Sequence, residues 1–202
     1  MGSELKCTVR YGKEVSEGKA LLETSEVLFR GDFRLKIPFA SIKSAKAVDG
    51  ELRLQTAGGL AVFEIGSAAE KWREKILHPK TRIEKIGLKP GAKVSLLGNF
   101  EADFLDELRS VAGTVSKESV AADSDTIFFA ANSPKALSSV AKIAKSLKGA
   151  TALWIVYPKG QKTIAENDVI AAGRKAGLKD VKVVGFSATH TALKFVVPLD
   201  KR

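Results

Sequence analysis

The chain has 202 residues, 45% of them apolar and 28% charged, with a formal net charge of +10. This is an ordinary globular composition, which excludes a disordered chain, a collagen and a disulfide scaffold. One cysteine, Cys7, and two histidines, His78 and His190, leave neither a disulfide nor a metal-ligand spacing, so no metal is expected.

Between Lys6 and Ile65 seven short runs read as strands: KCTVRY, KALLE, EVLFR, FRLKIPF, IKSAKAV, ELRLQ and LAVFEI. Leu52-Arg53-Leu54-Gln55 and Phe33-Arg34-Leu35-Lys36-Ile37 alternate apolar and polar residues, the pattern of a strand with one wet face. Asp49-Gly50 supplies the positive φ angles of a tight hairpin, and Gly58-Gly59 marks another turn. Cys7 falls in the first run and reads as a buried, inert thiol. Ser67 and Glu70 have the spacing of a capping box. Behind them Ala69, Trp72, Ile76 and Leu77 recur at helical spacing, and His78-Pro79 ends the helix.

A meander of seven strands closed by one amphipathic helix resembles the pleckstrin-homology and GRAM-type domains. The resemblance covers about residues 5–78 and rests on LLETSEVLFRG, IPFASI and Trp72. It implies a small β barrel with a C-terminal helix and names no chemistry.

After Pro79 the pattern changes. TRIEKIGLKPG reads as a charged connector, and Lys93 to Leu97 follows as a strand. Phe104, Leu105, Leu108 and Val111 line a helix closed by Gly113. Asp125 to Phe129 is a buried-type strand, and Ser133-Pro134 opens a helix with Leu137, Val140, Ile143, Ala144 and Leu147 on one face. Ala152 to Val156 is another apolar strand. Thr163 to Glu166 forms a second candidate capping box, whose helix ends at Gly177. Val181 to Phe186 and Ala192 to Val197 close the chain as an antiparallel pair. Alternating strands and helices predict a three-layer α/β domain over residues 81–202, after a β domain over residues 1–80.

GLKPGAKVSLLG resembles the first strand of the class I methyltransferases, and VKVVGFSATHTALKFVV resembles the last two strands of that fold. The resemblance implies a Rossmann-like domain. In that family the first strand ends in an acidic residue and a Gly-x-Gly loop beside S-adenosylmethionine. Here Ser95 stands at the acidic position, the loop is Gly98-Asn99-Phe100, and no acidic ribose partner is evident. Binding of that cofactor tighter than about millimolar is therefore not expected, and no cofactor is assigned. The acidic residues Glu101, Asp103, Asp106 and Glu107 would repel a phosphate at the helix start. No P-loop motif occurs. The order LKPG, ALW–YPK and AGL–DVKV over residues 82–198 also resembles an uncharacterised bacterial domain family without an assigned activity.

Ligands of open α/β sheets bind where the strands end. Asn99, Asn132, Tyr157 and Lys159 all follow segments read as parallel strands, and Lys162 adds a further charge. They form the candidate binding rim, suited to a small anion. No catalytic residue is assigned: His190 reads as an exposed loop residue. The favoured reading is a non-catalytic binding or interaction protein whose partner is a protein, an anionic surface or a small anion. The alternative is a methyltransferase-like transferase with a non-standard adenosyl pocket. RNA binding through the +10 charge is a third. No apolar run reaches the ~20 residues of a membrane-spanning helix, and no secretory h-region is visible, so the expected location is the cytoplasm.

Overall fold

The computed structural model describes residues 3–161 and 163–201. Contacts divide them into two units at the Lys80–Thr81 bond. Each of the seven runs in the first unit forms a strand: β1 (Ser3–Tyr11), β2 (Glu14–Leu22), β3 (Glu26–Arg30), β4 (Arg34–Pro38), β5 (Ile42–Val48), β6 (Glu51–Thr56) and β7 (Gly59–Glu64). They form one antiparallel sheet ordered β4-β3-β2-β1-β7-β6-β5. Inward residues from both ends of this order, Ile37 and Ala45, enter the same core as Val9, Phe29, Leu54 and Phe63, so the sheet curls around them. The helix α1 (Ala68–Leu77) completes that core with Ala69, Trp72 and Ile76. Asp49 and Gly50, at φ of 51° and 80°, make the β5–β6 turn.

Two expectations for this unit change. Ser67 has helical backbone angles and makes no capping bond with its side chain. A side-chain cap needs extended backbone at that position, and Glu70 pairs with Arg73 instead. Cys7 is half-buried rather than buried; burial still pushes its thiol above the ordinary range.

The second unit opens with α2 (Arg82–Ile86), inside the run read as a connector. Thr81 and Glu84 form a complete capping box there. The sheet comprises β8 (Lys93–Leu97), β9 (Thr114–Lys117), β10 (Thr126–Ala130), β11 (Ala152–Pro158), β12 (Lys179–Gly185) and β13 (His190–Val196). Its order is β12-β13-β11-β10-β8-β9. Strands β9, β8, β10 and β11 run parallel, and β13 is antiparallel to both β11 and β12. The strand β9 was missing from the sequence reading. It is four residues long with no buried position, so it carries no hydrophobic signature.

Strand alternation sends Leu96, Phe128, Trp154 and Val156 to one face and Ile127, Phe129, Leu153 and Ile155 to the other. The first face is covered by α2 and by α3 (Ala102–Val111), through Ile83, Ile86, Phe104 and Leu108. The second is covered by α5 (Val140–Ala144) and α6 (Glu166–Lys175), through Val140, Ile143 and Val169. This is an α/β Rossmann-like region.

The helix expected across Leu137 to Leu147 is two short pieces, α4 (Pro134–Leu137) and α5. The Ser138 hydroxyl bonds the Lys135 carbonyl, and the amides of Ser138 and Ser139 make tight i→i+3 bonds that separate them. The helix α6 is capped by Asp168, which accepts the Ala165 N–H at 2.8 Å, and not by Thr163.

Within α6, Gly173 lies flat against the sheet: a Cβ there would stand 2.0 Å from Phe195 Cε1. Gly173→Ala gains about 1 kcal/mol of helix propensity and meets an overpacking cost of about 1–3 kcal/mol. A net loss is expected, read as a lower urea midpoint at unchanged m-value. A raised midpoint would show that the Phe195 ring yields.

Candidate functional site

The carboxyl ends of β8, β9 and β10 lie side by side at one edge of the sheet. At the end of β8 the chain turns through Gly98, whose φ is +91°. A Cβ there would meet the Ala130 Cβ at 3.1 Å, so only glycine lets the β8 and β10 ends approach this closely. Asn99 and Phe100 follow. Phe100 packs among Phe104, Phe128 and Phe186 at centroid distances of 5.5, 6.4 and 6.3 Å.

At the end of β9 stands Glu118. Its N–H extends the ladder by donating to the Leu96 carbonyl at 2.8 Å, while its φ is +65°. Asp49 is the other non-glycine residue with positive φ among the described residues, and it is part of a hairpin turn. A glutamate pays ~1 kcal/mol or more for such a conformation, and strain of this kind collects at binding sites. Between Glu118 and the β8 loop lies a groove of about 360 Å³, walled by Leu96, Gly98, Asn99, Phe100 and Leu105 with Lys117 at its rim. A larger groove of about 560 Å³ opens at the opposite edge, around Gly91, Asp125, Thr126 and Lys194. Ligands of such sheets bind at the carboxyl ends of the strands, so the smaller groove is the candidate site.

One charged side chain supports the wall. Arg82, at the start of α2, has a side chain only 9% exposed. Its guanidinium lies over the rings of Phe104 and Phe186, at 5.1 and 5.0 Å. It donates to Glu107, to Asp103 at 2.9 Å and to the Phe186 carbonyl at 3.2 Å. Burial opposes its charge, but the bonds to Glu107 and Asp103 outweigh that and hold its pKa above the ordinary value. The acidic residues read as a barrier to phosphate are therefore spent largely on this arginine.

Of the expected rim, Asn99 lines the groove. Asn132 is exposed just beyond β10. Tyr157 is buried at 3%, and its hydroxyl donates to Glu166 at 3.0 Å. Burial and that carboxylate raise its pKa, so the phenol stays protonated and committed. Lys159 is exposed, with its N–H bonded to the Thr189 carbonyl at 2.7 Å. Lys162 lies outside the described residues. Ser95, matched to the acidic position of the methyltransferases, is wholly buried and bonds Ser124 and the Ala121 amide, a structural role. Glu118 was missed because the strand that positions it was missed. Its positive φ follows from tertiary packing and leaves no trace in sequence.

No protein-family model matches the chain, and no curated protein is similar to it. The expected kinship with the uncharacterised bacterial family thus gains no support. Among solved structures the chain is similar to a SAM-dependent methyltransferase from Aquifex aeolicus, at 17% identity and a TM-score of 0.44, covering 56% of this chain and 86% of that one. It is also similar to a TehB-like SAM-dependent methyltransferase from Corynebacterium glutamicum, at 13% identity and a TM-score of 0.39, covering 64% and 96%. A third is the C-terminal domain of an unknown protein from Leishmania infantum, at 13% identity and a TM-score of 0.29, covering 34% and 72%. These likenesses correct the order of the two readings: the non-catalytic binding protein gives way to the methyltransferase-like alternative. At this level of identity they concern the fold, and the chemistry has to rest on the residues of the groove. No helix is long and apolar enough to cross a membrane among the described residues.

Arg82→Met should cost about 2–3 kcal/mol, since one buried cation leaves two rings and a carbonyl unserved while the carboxylates keep water. Partial desolvation raises the Asp103 pKa, but the bonds from Arg82 and the Phe104 amide outweigh it, so the folded value lies below the ordinary one. Its contribution is therefore complete above about pH 4 and lost as the pH falls through the folded value. Urea unfolding from pH 7 to pH 2 should show that loss in the wild-type protein and a flatter acid limb in Arg82→Met. Parallel acid limbs would remove Asp103 from the network.

Proposed function

We propose that residues 81–202 form a class I methyltransferase-like domain that binds an adenosyl cofactor in the groove between Gly98 and Glu118. The observation that carries this reading is the Glu118 carboxylate, held at strained backbone angles at the end of the second strand of the sheet. A ribose diol donates two hydrogen bonds, and a carboxylate accepts both; bonds to a charged acceptor are worth about 1.5–3 kcal/mol. The strand order supports the same reading. A parallel run continuing into an antiparallel last strand, inserted beside its predecessor, is the arrangement that the terminal hairpin implied.

The residues fit such a group in this way. Glu118 would hold the sugar, Gly98 would let the cofactor approach the backbone, and Leu96, Phe100 and Leu105 would provide apolar contact for the base. The bound group would supply an electrophilic methyl on sulfur. Relative to the family pattern, the loop keeps one glycine and replaces the other with Phe100, which packs among Phe104, Phe128 and Phe186. The first unit we read as a pleckstrin-homology- or GRAM-like barrel over residues 1–80, supported by its strand order and by α1 seating Trp72 in the core.

Calorimetry with S-adenosylmethionine should give a Kd below 1 mM, the bound set by about −4.1 kcal/mol. Glu118→Gln should weaken binding about tenfold, or 1.4 kcal/mol, with an unchanged melting temperature because the side chain is exposed. No binding at millimolar cofactor, or equal binding by Glu118→Gln, overturns the reading.

A further inference from the structure

The turn between β12 and β13 places a second set of polar groups against the same loop. The Phe186 and Ser187 amides both donate to the His190 carbonyl at 3.0 Å, closing a tight turn. Inside it, Ser187 Oγ accepts the N–H groups of Thr189 and His190 at 3.3 and 3.2 Å, so its own proton is directed to Glu101 Oε1, 3.2 Å away. The Thr189 hydroxyl lies 3.5 Å from the same carboxylate oxygen and 2.9 Å from His190 Nδ1. Glu101 itself lies 3.8 Å from the Arg82 guanidinium.

The direction of the Thr189–His190 bond depends on which ring nitrogen carries the proton. A carboxylate only accepts, so when the Thr189 proton points to Glu101 the Thr189 oxygen accepts from Nδ1–H; pointed at Nδ1 instead, it leaves the ring proton on Nε2. The direct approach of Nδ1 to Glu101, 3.7 Å, favours a proton on the same nitrogen. In the Nδ1–H tautomer, which the nearby Glu101 carboxylate favours, the Nε2 lone pair is left for a partner from outside. His190 pairs in register with Pro158 at the end of β11, and Glu101 directly follows Phe100 of the groove wall. The imidazole therefore belongs to the same edge of the sheet as Gly98 and Asn132.

We propose that His190 is the general base of the transferase and that its acceptor is a small hydroxyl compound, a phenol or an alcohol. This rests on the adenosyl reading above. In the step, the acceptor oxygen attacks the methyl carbon of the adenosyl sulfonium. The O–C bond forms, the C–S bond breaks with its electron pair going to sulfur, and the hydroxyl proton passes to Nε2 of His190. A hydroxyl holds its proton at neutral pH and needs such a base, whereas a carboxylate or thioether acceptor does not. Thr189 and Glu101 are positioning residues: they hold the tautomer and stabilise the imidazolium that forms.

Two histidines in the chain make the test direct. Long-range ¹⁵N–¹H correlation on the full chain should show His190 protonated at Nδ1, with His78 as the internal reference. Thr189→Val and Glu101→Gln should shift His190 toward the Nε2–H form. With S-adenosylmethionine as donor and a panel of phenols and alcohols as acceptors, His190→Gln should lower methyl transfer by about 10²–10⁴-fold and leave cofactor affinity unchanged. Free imidazole should restore part of the rate to His190→Ala, which a merely structural histidine would not allow. An Nε2–H tautomer in the wild-type protein, or bound cofactor without transfer to any member of the panel, overturns this proposal alone. Absence of cofactor binding overturns the adenosyl reading, and the base assignment falls with it.

Discussion

A single buried guanidinium organises the functional edge of the second unit. Arg82 sits on the rings of Phe104 and Phe186 while its donors reach Asp103, Glu107 and the Phe186 carbonyl. Three segments far apart in sequence meet on it: the start of α2, the first half of α3, and the end of β12. A cation over an aromatic face is worth up to ~2 kcal/mol when desolvated, and the planar fork of arginine can stack and bond in the same position. Lysine, a point charge without the planar fork, could not do both from one position. The acidic start of α3 is partly balanced by this contact, and Glu101 is left oriented toward the β12–β13 turn.

The aromatic cluster explains why the groove has its shape. Phe100, Phe104, Phe128 and Phe186 form successive edge or tilted contacts, each worth roughly 0.5–1.5 kcal/mol beyond area burial. Phe100 is the residue that departs from the glycine of the methyltransferase loop, and the cluster is what it joins. The β8 loop is thereby fastened to the sheet face rather than left free to wrap a ligand. Gly98 remains the one position where the backbone can come close, and the Ala130 Cβ behind it requires that no side chain be added.

Sequence pattern and tertiary contact contribute differently to each part. The seven strands of the first unit were legible because each is flanked by a turn signal and alternates about a wet face, as in Leu52 to Gln55. The strands β8, β10 and β11 were legible as apolar runs because helices bury them on both sides. The caps were read with less success. Ser67 stands at the entry of α1 but with helical backbone angles, and Thr163 lies two residues before the entry of α6, whereas Thr81 caps α2 from extended backbone and Asp168 caps α6 from its first turn. Spacing specifies a candidate cap; backbone angles at the entry decide between candidates.

The candidate site divides along the same line. Residue types and spacings alone led to expecting no disulfide, no His/Cys metal-ligand spacing and no P-loop. The turn at Gly98 and the position of Asn99 were legible from a strand followed by a glycine. Glu118 and the Glu101–Thr189–His190 set were not. The strand β9 is four residues long without a buried position, so nothing local distinguishes it, and only pairing with β8 makes it a strand. The groups around Glu101 come from positions nearly ninety residues apart. Sequence determines which segments can form strands and helices, because periodicity is local. Which carboxylate ends beside which glycine, and which hydroxyl meets which imidazole, depends on strand order, and strand order exists only once the sheet has formed.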